Sequence, residues 1–228
     1  MYPEKCIVCH SVSGLTEGEA LCVNCRRDLQ PICEPRCKRC SKPLKSLEKE
    51  LCEDCGSRKF SVERGMALYP YDQTMRRAIT NFKYGGELAC GDYFAQEIAR
   101  QCGEWIRKVS PEVIIPVPIH KKRMRFRGFN QAAYMAERIG TSLHIEVLPD
   151  YLVRTGNTKP QKELDVLSRR KNLEKGFCVN GSPKRYRTVL LFDDIYTTGA
   201  TLEACGKVLK NVGTERIYYL SLCIGRGD

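Results

Sequence analysis

Eight cysteines set as four identical Cys-x-x-Cys pairs, Cys6/Cys9, Cys22/Cys25, Cys37/Cys40 and Cys52/Cys55, constrain this chain more than any other feature. Each such turn points two sulfurs at one centre, and two turns complete the tetrahedral four-sulfur shell that zinc favours, at Zn–S distances of about 2.3 Å. Four pairs therefore imply two structural Zn²⁺ sites. The gaps of 12 residues between the first two pairs and 11 between the last two suit zinc-knuckle loops. Spacing leaves the pairing open: neighbours share an ion, or the first and third pairs do so in a cross-brace. Cys33 is left over without a role. Cys6-Ile7-Val8-Cys9-His10 also fits a c-type haem attachment pattern, but the other three pairs lack the histidine and a metal site accounts for all four together. A chain of 14 cysteines opening on Glu4 and Lys5, with no run of about 18–20 apolar residues, is expected to be cytoplasmic and not an integral membrane protein. In a reducing compartment metal ligation outranks a disulfide framework.

Beyond Cys55 the cysteines thin out and amphipathic periodicity begins, which sets the expected boundary between a zinc module over 1–58 and a second domain over 59–228. Met75, Ala78, Ile79 and Phe82 recur at helical spacing before Gly85-Gly86, as do Phe94, Ile98, Cys102 and Trp105 before Pro111. Strand and helix patterns then alternate. Val113 to Val117 is a strand, Ala132 to Ile139 a helix face closed at Gly140, and Ile145 to Val153 a strand. Val189 to Ile195 is a strand, Leu202 to Val212 a helix and Arg216 to Ile224 a strand. Such alternation predicts an α/β fold whose parallel sheet is flanked by helices. The terminal Arg226-Gly227-Asp228 is an incidental match to an adhesion tripeptide.

The second domain's chemistry concentrates in Val189 to Thr201. Four apolar strand residues deliver Asp193 and Asp194 to the strand's C-terminal end, where open α/β sheets bind ligands. Two adjacent carboxylates can accept hydrogen bonds from the two hydroxyls of a ribose. Thr197, Thr198, Gly199, Ala200 and Thr201 then form a small-residue turn opening a helix, where backbone N–H groups, hydroxyls and the helix dipole suit a phosphate. Walker A and G-x-G-x-x-G sequences are absent, which disfavours a nucleotide triphosphatase or a dinucleotide-dependent enzyme.

Lys121, Lys122, Arg123, Arg125 and Arg127 place five cations within seven residues, enough to neutralise a pyrophosphate or a nucleic-acid backbone. Phe126 and Phe129 interleave with them as base-stacking side chains do, although aromatics at such spacing also serve cores. The formal net charge is +11, and the chain stays basic after eight thiolates and two divalent ions are counted. That balance favours anionic partners.

The Asp193-to-Thr201 segment resembles the phosphoribosyl pyrophosphate (PRPP) motif of type I phosphoribosyltransferases, with Tyr196 standing where an aliphatic residue is usual. With the four cysteine pairs, Phe82-Lys83-Tyr84-Gly85, Pro116-Val117-Pro118, Arg127-Gly128-Phe129-Asn130-Gln131, and Gln161 before Arg169 and Asn172, nearly the whole chain resembles the ComF (ComFC-like) family. The resemblance implies PRPP with Mg²⁺ at Asp193, Asp194 and Thr197 to Thr201, and a pyrophosphate loop at Pro118, Ile119, His120 and Lys121. It also implies a loop closing over the ligand through Lys159, Gln161 and Arg169. Its biological content is natural transformation: imported single-stranded DNA contacting the basic segment, and a competence helicase or translocase as a further partner. The alternative is an active phosphoribosyltransferase acting on an unidentified base or nucleophile. No general base stands out, and the pyrophosphate loop lacks the small residues common in active members.

Overall fold

The computed structural model describes residues 5–57, 60–155, 176–182 and 184–225, so the boundary expected at 58 and the loop residues Lys159, Gln161 and Arg169 lie outside the described residues. Two short helices, α1 (Val23–Asp28) and α2 (Glu53–Gly56), belong to the cysteine-rich segment. They are followed by β1 (Arg64–Pro70), α3 (Gln73–Tyr84), α4 (Leu88–Val109), β2 (Val113–Pro116), α5 (Lys121–Arg127), α6 (Gln131–Leu143) and β3 (Glu146–Val147). The chain continues through β4 (Leu152–Arg154), β5 (Phe177–Val179), β6 (Thr188–Tyr196), α7 (Ala200–Asn211) and β7 (Arg216–Ile224).

Five strands form one parallel sheet in the order β1-β7-β6-β2-β3, and β4 pairs antiparallel with β5 in a separate ribbon. Successive residues of a strand face opposite sides, and here both sides are covered, which is why the strands are apolar without alternation. Leu190 and Phe192 enter a core with α3, α4 and α6, whereas Val189 and Leu191 enter a core with α7.

The cysteine-rich segment does not stand apart from this sheet. Ile7, Val8 and Leu21 join the first core, while the later cysteines join the second with Val62 and Leu202. The segment also closes the open side of β1, since Ile32 N donates to Leu68 O at 2.8 Å and Gly65 N to Arg39 O at 2.7 Å. An edge strand that would otherwise offer unpaired backbone groups to another chain is thereby covered.

Two local expectations change. The helix expected to close at Gly140 runs on to Leu143 and ends at His144, which adopts the left-handed conformation (φ 56°). Gly140 serves close approach instead: a Cβ there would lie 2.3 Å from Val147 Cγ2 and 2.7 Å from Ile145 O. The Gly140→Ala variant is expected to lose about 1–3 kcal/mol by overpacking against that backbone, measurable as a lower urea midpoint at unchanged m. The strand expected over Ile145 to Val153 divides at Leu148-Pro149-Asp150 into β3 and β4, which belong to different sheets. The basic stretch Lys121–Arg127 is a helix, with His120 Nδ1 accepting from Lys122 N at 3.1 Å as its cap.

Candidate functional site

The eight paired cysteines gather into two groups, Cys6/Cys9/Cys22/Cys25 and Cys37/Cys40/Cys52/Cys55, with the four sulfurs of each within 4.8 Å of one another. Neighbouring pairs share a site, so the cross-brace is excluded. The two knuckles repeat the same turn: His10 N donates to Cys6 O at 2.9 Å and Ser41 N to Cys37 O at 2.8 Å. His10 and Ser41 both take positive φ, at 62° and 64°. A tetrahedral Zn–S shell at about 2.3 Å has S···S edges of about 3.8 Å. The Cys9–Cys22 and Cys40–Cys52 sulfurs lie 3.6 and 3.7 Å apart, close to that edge, and all four sulfurs of each set lie within 4.8 Å, so both donor sets fit zinc. Bound there, the metal would supply structural cross-links and leave no open coordination position.

The second site forms where the strand order reverses. From β2 the chain moves outward to β3, and from β6 it moves the other way to β7, leaving a crevice between neighbouring strands at their C-terminal ends. β2 pairs with β6 only as far as Pro116 opposite Phe192, and Val117 N donates to Phe192 O at 2.8 Å. Past that point β6 continues with Asp193, which pairs with Ser221 of β7, and then Asp194. Both aspartates are half-buried at this end of the sheet.

Asp193 Oδ1 accepts from Asp194 N at 2.9 Å. Burial first, and then the neighbouring Asp194 charge, push the Asp193 carboxyl well above the ordinary aspartate range. Asp194 is ion-paired with Lys83 at the last turn of α3, both side chains being only 13% exposed and thus shielded from bulk water. The lysine belongs to the Phe82-Lys83-Tyr84-Gly85 sequence but carried no role until the fold brought it across from α3. Arg154 on β4 is a second addition. Its guanidinium lies over the Phe177 ring at 5.3 Å, and burial, with Arg123 next, lowers its pKa while Asp193 opposes that shift.

After β6, Thr197 and Thr198 are exposed, Gly199 is buried with φ 74°, and Ala200 and Thr201 begin α7. Thr198 Oγ1 accepts from Ala200 N at 3.4 Å, and Glu203 N donates to Gly199 O at 2.8 Å. The first turn of α7, whose leading N–H groups have no partner within the helix and carry the positive end of its dipole, therefore follows directly on the acidic end of β6. On the other wall Pro118 is buried, Ile119 and His120 half-buried and Lys121 exposed. Asn130 Nδ2 ties this loop down by donating to Val117 O at 3.1 Å.

The five cations and two phenylalanines separate by role. Lys121, Lys122, Arg123 and Arg125 are exposed on α5. Arg127 folds back, bonding Gln131 Oε1 at 3.0 Å and the Tyr84 hydroxyl at 2.7 Å. Phe129 packs edge-on against Phe82 and Tyr134, whereas Phe126 is 78% exposed beside Tyr84, ring centroids 6.0 Å apart. A depression beside β3, lined by Glu137, Thr141 and His144 among others, includes none of the Asp193–Thr201 residues.

The double zinc ribbon domain family matches residues 1–56. The chain is 28% identical over 218 residues to a protein of Haemophilus influenzae named competence protein F, covering 93% of each. It is 28% identical over 208 residues to competence protein ComFC of Bacillus subtilis, covering 87% of this chain and 81% of that one. Among solved structures, a purine phosphoribosyltransferase of Pyrococcus horikoshii superposes with a TM-score of 0.37 at 22% identity, over 57% of this chain and 72% of that one. A superposition that loose carries no weight for the site, whose geometry stands on the chain's own sheet order.

Proposed function

We infer that this homologue of the ComF and ComFC competence proteins acts in DNA uptake, its crevice binding the sugar and phosphates of PRPP while α5 contacts single-stranded DNA. The observation that carries the sugar-phosphate reading is the Asp193-Asp194 pair at the C-terminal end of β6 with the Thr197–Thr201 turn directly behind it. In this reading the carboxylates accept from the ribose hydroxyls, and the α7 amides and threonine hydroxyls surround the 5′-phosphate. PRPP brings Mg²⁺ with it, and the loop from Pro118 to Lys121 faces the pyrophosphate. Lys83, released from Asp194, supplies a cation at the same end of the sheet.

Titrating the zinc-loaded protein with PRPP and Mg²⁺ tests the reading. Saturable binding by the parent and none by Asp193→Ala/Asp194→Ala supports it, and equal binding by the two removes the site. The enzymatic alternative requires a measured transfer product.

Support for DNA contact comes from the exposed face of α5, where Tyr84, Phe126 and Arg125 offer stacking surface among cations. Phe126→Ala is expected to weaken single-stranded DNA binding by about 1–3 kcal/mol with an unchanged salt slope, because stacking releases no counterions. Arg123→Ala/Arg125→Ala should instead flatten the slope by about 0.7 for each phosphate that the variant no longer neutralises. Binding insensitive to salt would count against α5 as the DNA-binding element.

A further inference from the structure

Tyr196 is the one residue of the phosphate segment that departs from the aliphatic type usual there, and its surroundings give it work to do. Its ring stacks on Tyr219 of β7, centroids 5.0 Å apart and planes 15° from parallel. On one side its hydroxyl fills the space beside Gly199: a Cβ on that glycine would lie 2.3 Å from the Tyr196 oxygen. On the other side Tyr219 lies over Gly65, where an added Cβ would fall 2.3 Å from the ring. Gly65 is the residue to which the second knuckle is fastened, through Gly65 N donating to Arg39 O at 2.7 Å and Ser41 Oγ donating to Gly65 O at 3.4 Å. Tyr196, Tyr219 and the four cysteines of the second site belong to one buried cluster, from which the first four cysteines are separate.

We propose that Tyr196 is a positioning residue through which the second zinc ribbon holds the Thr197–Thr201 turn in shape, so that metal at Cys37/Cys40/Cys52/Cys55 sets anion affinity in the crevice. The chain of contacts runs from the metal knuckle to Gly65, to Tyr219, to Tyr196 and to Gly199. Closely packed interiors transmit such displacements because no free volume absorbs them. The ligand part rests on reading Thr197–Thr201 as a phosphate turn, whereas the mechanical link does not.

The experiment follows hydrogen exchange at the Glu203 amide, which donates to Gly199 O, alongside titration with inorganic pyrophosphate. In the full-length, zinc-loaded parent, Cys52→Ser is expected to speed Glu203 exchange by about tenfold or more, the scale of coupling between residues in contact. The first-site variant Cys22→Ser should leave it unchanged. With Tyr196→Ile in place, Cys52→Ser should add nothing further, and Tyr196→Phe, which keeps the stacked ring and its Cζ beside Gly199 (2.8 Å from a Cβ placed there), should retain the response to Cys52→Ser. Gly65→Ala supplies a second route that leaves every metal ligand intact: displacing Tyr219 should loosen Glu203 as Cys52→Ser does. Exchange unmoved by both Cys52→Ser and Gly65→Ala overturns the proposal. So does an equal response to Cys22→Ser, or a Cys52→Ser effect that persists with Tyr196→Ile. Should the exchange pattern appear while pyrophosphate and PRPP fail to bind, the link stands and the sugar-phosphate reading falls.

Discussion

Replacing Cys6 or Cys37 by serine is expected to lower zinc content from two ions per chain to one and to destabilise a different face of the sheet in each case. A structural Zn–S₄ site contributes apparent binding energy of about 10–16 kcal/mol, comparable with the entire stability of an ordinary domain at about 5–15 kcal/mol. The loss does not stay local, because the ribbons are built into both cores. With the first site gone, Ile7, Val8 and Leu21 lose the scaffold that presses them against α3 and α4. The hydrogen bonds from Asn81 Nδ2 to Ile7 O and Val8 O, at 3.1 and 2.9 Å, go with them. With the second site gone, the cover over β1 at Gly65 and Leu68 loosens. Metal analysis with limited proteolysis checks both, cleavage expected within 5–30 for Cys6→Ser and within 32–57 for Cys37→Ser. A Cys37→Ser protein that keeps two ions and the parental urea midpoint would show that these sulfurs are not ligands.

Asp193→Asn is expected to act in opposite directions on binding and on stability. On the proposed sugar-phosphate reading, a hydrogen bond to a charged acceptor is worth about 1.5–3 kcal/mol, so this substitution is expected to weaken PRPP binding by about 10- to 100-fold. Removing both carboxylates costs about 100-fold or more on the same scale. Stability moves the other way because the folded protein raises this carboxyl's pKa, first by burial and then through Asp194. The folded state then holds the proton more tightly than the unfolded chain, and stability present below the ordinary aspartate pKa is lost as pH rises through the folded value. Asparagine carries no such penalty. The variant should melt above the parent at neutral pH, by about 2–4 °C for each kcal/mol relieved, and the gap should close towards pH 4. Thermal melts across that range, paired with titrations at pH 7.5, check both halves. A variant that melts lower at neutral pH would mean that Asp193 is held as a satisfied structural carboxylate.

The Lys83–Asp194 pair sharpens this picture. The crevice pairs Asp194 with a lysine and raises the pKa of Asp193, so the second carboxyl gives up its proton less readily than an ordinary aspartate. A sugar with its phosphates would supply hydroxyl donors to both acids and an anion for the displaced lysine. Binding is therefore expected to exchange partners without creating new buried charge.

The readable part of this protein lies in segments where function needs several residues at fixed short spacing. The Cys-x-x-Cys turns announced two metal sites because two sulfurs three residues apart converge without help from the rest of the chain. Val189 to Thr201 announced a strand, an acidic pair and a threonine-rich turn opening a helix because all three sit on one continuous piece of backbone. Helix faces such as Met75, Ala78, Ile79 and Phe82 were legible by the same local periodicity. Lys83 beside Asp194 and the stack joining Tyr196 to Tyr219 were not, since each brings together side chains from different elements.

Sequence alone thus determined the metal-binding chemistry, the parallel α/β class and the acidic-threonine segment, because backbone geometry over a few residues dictates where those side chains point. Tertiary structure alone decided that neighbouring cysteine pairs share an ion and that the two ribbons clasp opposite faces of one sheet. It also decided that Gly140 makes room for Val147 and that a distant lysine neutralises Asp194. Those outcomes depend on which surfaces are buried against one another, and that is settled only when the whole core closes.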